Sequence, residues 1–446
     1  MQPEMRLEDC SASAAAPVAV QARWKPATKI AFRFFFAYIL LYSAYVPLHV
    51  LPFPPFRQIS ALHDRLSSRS VHLMSQRVLH LTHDFSTDYL NASGDSKDTT
   101  FIWVEALCDL VLAMVATVIW SLLDRRRSNY QWLHKWLVVY LRFVLAATMI
   151  PYGMLKLLPV QFQPLSLAKL LQTYGDSSPA GLMWTYMGYS RAYSMFGGAT
   201  ELLAGVLLVV PQLATLGALV CLAVMTNVFV LNLSYDVTVK LGSMHLLLMT
   251  GFILLPDAGR MLDFFVRHRT TRLTPMQPLF NRRPWLERAA FAVQIIFGLM
   301  LLTYNFHRAY QKTEMLESGK NIPLRGIWSV DQFQFDAQVR PPLLSDQLRW
   351  RRLVIDSAHD AVVQQMTGDL QYFPAQVNPQ TRVLAISRGG TVIGAFHYND
   401  SVPGLLLLSG IMDHHPVDIR LHREDESKFL LNSRGFHWIQ DSAVYQ

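Results

Sequence analysis

Residues 227–245 read NVFVLNLSYDVTVKLGSMH, and they join two strongly apolar runs, 213–233 and 241–256. Each run is long enough to cross the hydrocarbon core of a bilayer as a helix, which takes about 20 residues. Between them lies a short polar turn, Ser234-Tyr235-Asp236-Val237-Thr238-Val239-Lys240, with Asn227 and Asn232 before it and His245 after it. Polar groups at bilayer depth are costly, so each must find a partner or line a wet cavity. The chain therefore reads as a frame that holds this turn at one surface of a membrane.

Working outward, the 446 residues are 51% hydrophobic and 16% charged, with a mean hydropathy of +0.20. That is too apolar for a soluble domain and too mixed for a chain that is membrane throughout, so a membrane domain joined to a soluble one is expected. The net charge is +8. In a membrane protein such an excess collects in cytoplasmic loops beside anionic lipid. Nothing interleaves basic with aromatic residues as nucleic-acid binding would require. Lipid is the expected partner, with a second membrane protein as a further one. The cysteines Cys10, Cys108 and Cys221 lie in the N-terminal tail and in apolar runs, which argues against a disulfide framework. No CxxC, HExxH or zinc-type Cys/His spacing occurs, so no metal site is expected.

Residues 1–22 are polar and Ala/Ser-rich and read as a disordered cytoplasmic tail; 23–310 read as a transmembrane helical domain. Its seven expected spans are 28–50, 101–123, 132–157, 192–210, 213–233, 241–258 and 285–307. An amphipathic helix on the membrane surface is expected near 56–83, within the long loop 51–100. Placing the N-terminus in the cytoplasm puts the Arg125–Arg127 run and the basic loop 259–284 inside together, as the positive-inside rule prefers. The expected location is thus a bacterial inner membrane with the C-terminal region periplasmic.

From about residue 320 the texture changes to short apolar runs broken by Gly, Pro, Asn and Asp: GIWSVDQF, RWRRLVID, DAVVQQMT, LQYFPAQV, TRVLAIS, TVIGAFHYN, GLLLLSG and VDIRLHRE. This pattern predicts an antiparallel up-and-down sheet closing into a small barrel over 320–446. The opening Gly326-Ile327-Trp328 is similar to the GxW of lipocalins, which implies a Trp at the barrel floor with an Arg stacked on it, either Arg420 or Arg434.

The candidate site residues come from the polar groups within the spans. Glu201 lies well inside a span and Lys156 near the end of another, so the carboxylate is expected within reach of that lysine, or failing that of Arg142. With Asp236 and His245 they form the candidate catalytic set, able to exchange a proton with a bound head group. Tyr152, Asn227, Asn232, Tyr235, Lys240 and Trp184 form the candidate ligand-binding set. Blander readings fit several of them. Lys156 and Lys240 also read as lysines snorkelling to the interface, Tyr152 and Trp184 as an aromatic belt, and the two asparagines as interhelical glue. Gly197, Glu201 and Gly205 read as a small-residue stripe where another helix approaches closely.

Several of these residues carry a family resemblance. Tyr152-Gly153-x-x-Lys156, Ser178-Pro179-x-x-Leu182-Met183-Trp184-Thr185-x-Met187-Gly188, Phe196-x-Gly198-x-x-Glu201 and Asn232-x-x-Tyr235-Asp236-Val237-x-Val239-Lys240 resemble bacterial DoxX-like membrane proteins, over about 130–265. The resemblance implies a four-helix membrane core, with the other spans and the barrel as additions to it. Because some relatives are subunits of a thiosulfate:quinone oxidoreductase, it also implies a quinone-linked redox role, with quinone as the cofactor. Two other classes of function remain open on the sequence: a non-enzymatic carrier of a lipid-like ligand in membrane domain and barrel, and a structural subunit of a membrane complex.

Overall fold

A computed structural model describes residues 23–46, 54–81, 97–271, 280, 283–319 and 322–441. The tail 1–22, with Cys10, lies outside the described residues. The chain is a helical domain of membrane-spanning character followed by a closed antiparallel β-barrel. Six described helical segments are long and apolar enough to cross a membrane: Thr100–Leu123, Gln131–Leu157, Arg191–Val209, Pro211–Ser234, Lys240–Phe265 and Pro284–Ser318. Seven were expected. The first expected span, 28–50, is helical over Pro26–Ser43 (α1), carries Lys29 and Arg33 in that part, and runs on into residues outside the description.

Two compact units divide inside one helix, between Val144 and Leu145. In the first, α1 packs on α3 (Thr100–Leu123), and α2 (Pro54–Arg77) packs on α3 through Val71 against Phe101, Val104 and Cys108. Arg33 is buried on α1 and fully engaged. It donates to Tyr130 Oη at 2.7 and 2.9 Å, to Ser121 Oγ at 2.8 Å and to the Asp124 carbonyl at 2.8 Å. Glu105, an acid near one end of α3, accepts from the Ser67 hydroxyl of α2. A polar group at that depth is thus matched within its own unit.

The second unit takes in the C-terminal end of α4 (Gln131–Leu157) and everything after it. The segment after α4 contains two 3-10 turns and a short helix, α5 (Pro179–Tyr189). Ser178 caps α5, accepting from Gly181 N at 3.0 Å, and Pro179 occupies the first turn, where its missing N–H costs nothing. Next come α6 (Arg191–Val209), α7 (Ala214–Ser234) and α8 (Lys240–Leu254), with a 3-10 turn at Pro211–Leu213 joining the first two. Part of the basic loop expected after 258 is a further helix, α9 (Ala258–Phe265), and α10 (Pro284–Ser318) runs eleven residues past its expected end at 307. Close approaches are made at glycines: a Cβ on Gly217 of α7 would meet Leu208 N of α6 at 2.7 Å, and one on Gly298 of α10 would meet Val209 Cγ1 at 2.5 Å.

The barrel strands are β1 (Gly326–Phe335), β2 (Gln338–Val339), β3 (Trp350–Ser357), β4 (Asp360–Gln365), β5 (Leu370–Asn378), β6 (Val383–Arg388), β7 (Thr391–Asn399), β8 (Leu405–Met412) and β9 (His415–Arg423). β1 pairs with β3, each strand from β3 to β8 pairs with the next in an antiparallel ladder, and β9 closes on β1, so eight strands form the barrel and the two-residue β2 extends beside β1. The eight runs read from the sequence are these eight strands. Alternation puts Phe333, Leu353, Val363, Leu384, Phe396, Leu408 and Ile419 inside, and one end of the barrel opens as a pocket of about 390 Å³ lined by Trp350, Phe373, Ile386, Phe396 and Met412. Trp328 is buried, and its indole N–H donates to the Leu324 carbonyl at 2.9 Å. The arginine beside it is neither of those expected: Arg420 pairs with Gln332 and is exposed, and Arg434 lies beyond the barrel. The antiparallel register instead sets Arg423 opposite Trp328, with its guanidinium against Gly326.

The first 3-10 turn after α4, Leu167–Leu170, docks on the barrel wall. Leu167 and Ala168 pack against Ile327, Val354 and Val362, and Leu167 N donates to Asp356 Oδ2 at 2.9 Å. The α4–α5 segment and the barrel are therefore in direct contact within the second unit.

Candidate functional site

The site begins with a close crossing of α4 and α6. A Cβ on Gly153 would meet Leu202 N at 2.7 Å and the Gly198 carbonyl at 2.8 Å, and one on Gly198 would meet the Gly153 carbonyl at 2.7 Å. Only glycine at both positions lets the backbones approach this far. The seam continues at Gly205, where a Cβ would meet Ile150 and Met149 of α4. Gly197, taken from the sequence as part of the stripe, has open space around it, so the contact face of α6 is Ser194, Gly198, Glu201 and Gly205. The spacing of four, three and four residues is the step of one helix face.

Into this seam project Lys156 from α4 and Glu201 from α6, in direct contact through Nζ and Oε1. Both are buried, at 8% and 3% exposure. The Lys156 ammonium also lies 5.9 Å from the centre of the Phe162 ring. The pairing is incomplete. Among the described residues, Glu201 Oε2 and Ser194 Oγ are buried with no hydrogen-bond partner. Lys156 and Ser194 line a pocket of about 110 Å³ that Gln163, Gly188, Arg191, Thr313 and Glu317 complete, with Phe162 and Leu316 as apolar walls. The pocket therefore offers an ammonium, a guanidinium, an amide, hydroxyls and the Glu317 carboxylate at its surface, with the Glu201 carboxylate behind the ammonium. Such a set, two cations against two carboxylates, can hold a neutral oxygen-rich head group by charge-assisted hydrogen bonds and exchange a proton with it.

The structure brings some of the expected residues together and separates others. The turn at 234–240 does face the α4–α5 segment, but it does so through Val237, which packs with Phe162, Met183 and Met187. Asp236 turns away: its backbone has φ +52°, its side chain is 82% exposed, and its partner is Lys240 at 2.7 Å within the same turn. Tyr235 is exposed beside it. Asn232 is buried and donates to Ser243 Oγ at 3.1 Å, tying α7 to α8. His245 is buried with Nδ1 at 2.8 Å from the Leu241 carbonyl one turn earlier. Asn227 is exposed on α7, Tyr152 is exposed on α4, and Trp184 is half-exposed with its ring edge against Phe162, 5.2 Å between centres. Of the ten expected site residues, only Lys156 and Glu201 form the seam. Asp236 pairs with Lys240 within its own turn and His245 sits on α8 against the Leu241 carbonyl.

Sequence reasoning missed Ser194, Arg191, Thr313 and Glu317. Ser194 was findable, being seven residues before Glu201 on the face that Gly198 marks. Thr313 and Glu317 were hidden because α10 outruns the apolar stretch by which its end was judged.

A helical membrane-type domain with a buried ion pair in a glycine-lined seam, followed by a closed barrel, defines the class of this protein. No protein-family model matches the chain, and no solved structure matches it. It is similar to an uncharacterized protein of Bacillus subtilis (strain 168), YwoB, at 34% identity over 84 residues, 19% of this chain and 54% of that protein. The chain thus spans about half the length of this curated relative.

Proposed function

We propose that this protein binds the polar head of a lipid-soluble ligand at the Lys156–Glu201 seam, that the ligand is a quinone, and that the protein serves as the quinone-binding component of a membrane oxidoreductase. Electrons come from a redox partner protein. Lys156 and Ser194 donate to a quinone oxygen, and Glu201, held behind Lys156, supplies or accepts the accompanying proton. The observation that carries this reading is the unfinished pairing: two buried polar atoms without partners, Glu201 Oε2 and Ser194 Oγ, beside a pocket that Lys156 lines. A purely structural ion pair needs its remaining lone pairs satisfied to be worth its desolvation. The resemblance to DoxX-like proteins adds to it, because Gly153, Lys156, Gly198 and Glu201, four of the motif residues, are the ones that build the seam. The carrier reading keeps a pocket of about 390 Å³ at one end of the barrel, with Trp350, Phe373 and Phe396 at its base, but Asp346, Asp369, Arg388 and Asp413 give that pocket a polar rim unlike a lipid receptor. With the N-terminus cytoplasmic, the barrel and the pocket end of α4 face the periplasm of an inner membrane.

The test is mass spectrometry of small molecules retained through gentle purification of the full chain. A quinone in near-stoichiometric amount, lost in Ser194→Ala, is the expected result. Phospholipid alone, with no quinone retained on quinone addition, rejects the reading.

A further inference from the structure

Past the barrel, the chain runs through Leu430–Ser433 (α11) and then presents Phe436, Trp438 and Ile439 at 78%, 90% and 82% exposure. The two aromatic rings pack edge to face, 5.0 Å between centres, and among the described residues nothing else covers them. Three large apolar side chains in a row are a patch that water does not favour.

The place of this patch says what covers it. The hydroxyl of Tyr189 donates to the Arg434 carbonyl at 3.3 Å. Tyr189 is the last residue of α5, and Arg191 is the first residue of the span Arg191–Val209. The tail is therefore tied to the level where a span leaves the hydrocarbon, which is the water–lipid boundary. The same level carries other exposed aromatic residues, Tyr186 and Tyr193, with ring centres 5.2 Å apart. Trp and Tyr concentrate at this depth because one end of each ring system is apolar and the other seeks hydrogen bonds. Arg434 precedes the patch and His437 lies within it, and Arg434 supplies a fixed positive charge for lipid phosphate.

We propose that residues 434–439 form an interfacial anchor whose aromatic pair enters the headgroup region of the bilayer and pins the barrel against the membrane surface. The partner is lipid, and the proposal holds whatever ligand the α4–α6 seam takes.

The test uses the full chain in nanodiscs made with ordinary or with brominated phosphatidylcholine, in wild-type form and as Trp438→Phe. Trp438 is almost fully exposed, so the variant keeps its fold, which gel filtration and circular dichroism check. The difference in tryptophan emission between the two chains isolates Trp438. The proposal expects that difference spectrum to be blue-shifted and quenched by the brominated lipid. Emission typical of water with no quenching overturns it. A blue-shifted spectrum that brominated lipid leaves unquenched also overturns it, because the segment is then covered by protein, such as a second copy of the chain.

Discussion

The barrel and the α4–α6 seam both bury charged side chains, and they treat them differently. In the barrel, Arg349 is 4% exposed; Nη1 donates to the Arg340 carbonyl at 3.0 Å and Nη2 to the Val330 carbonyl at 3.3 Å, while Nε is buried without a partner. Asp346, one turn away, accepts from Arg340 and from the amides of Leu348 and Arg349. These bonds fasten the loop before β3 to the wall, and no movable ligand is needed to complete the carboxylate. In the seam, Lys156 and Glu201 hold one another, while Glu201 Oε2 and Ser194 Oγ are left over next to a pocket. Each region leaves a buried polar atom without a partner, and the seam differs in that its leftover hydroxyl belongs to Ser194, which lines a pocket beside Lys156.

The sharpest way to break this comparison is Lys156→Met. It leaves a buried carboxylate alone, and removing one partner of a buried pair costs about 3–5 kcal/mol. The double variant Lys156→Met/Glu201→Leu removes both charges and should recover most of the loss. Denaturant titration of the purified chain in detergent reads both, and a double variant no better than the single one means the seam needs its charges to fold. In the barrel, Leu408→Ala should cost about 2–5 kcal/mol, since the side chain is fully buried in a packed interior. Quinone retention should be unchanged in that variant, and its loss would tie the barrel to the site.

A smaller effect is expected from pH. Burial raises the Glu424 carboxyl, but hydrogen bonds from Ser329 and Arg352 together with the Arg352 charge outweigh it and hold the group below the usual range. A depressed folded value means the stabilisation is present above the unfolded value, about 4.3, and is lost as pH falls through the folded one. Barrel melting followed from neutral to acid pH should show this limb in the wild type and a flatter one in Glu424→Gln. An identical acid limb in both would mean the contact contributes nothing. The smallest effect is expected for Asp236→Asn. An exposed i,i+4 pair is worth about 0.3–0.5 kcal/mol, so thermal stability and quinone retention should both stay near wild type. Loss of retention with folding intact would return the turn to the site.

The barrel was legible strand by strand because one of its faces meets water. Alternation there reports which side chain points inward, and all eight runs became strands with alternate residues inside. The helices were legible as helices but not as faces. A span meets lipid on one side and protein on the other, and both environments select apolar residues, so periodicity does not show which side is buried. That is why Asn227 was expected in a pocket and is exposed, and why Gly197 was chosen over Gly198. Glu201 was readable because no lipid-facing position tolerates a carboxylate cheaply, and Lys156 followed from the partner that Glu201 required. Asp236 misled for the complementary reason: at the membrane surface water satisfies a charge, so its position said little.

The central claim is that the Lys156–Glu201 seam receives a quinone head group. It is tested most directly by photolabelling proteoliposomes with an azido-quinone, comparing the wild type with the folded double variant Lys156→Met/Glu201→Leu. The account predicts that wild type is labelled on α4 or α6, that a short-chain quinone competes the label away, and that the double variant is not labelled. Equal labelling of the two chains at the same peptides would contradict it.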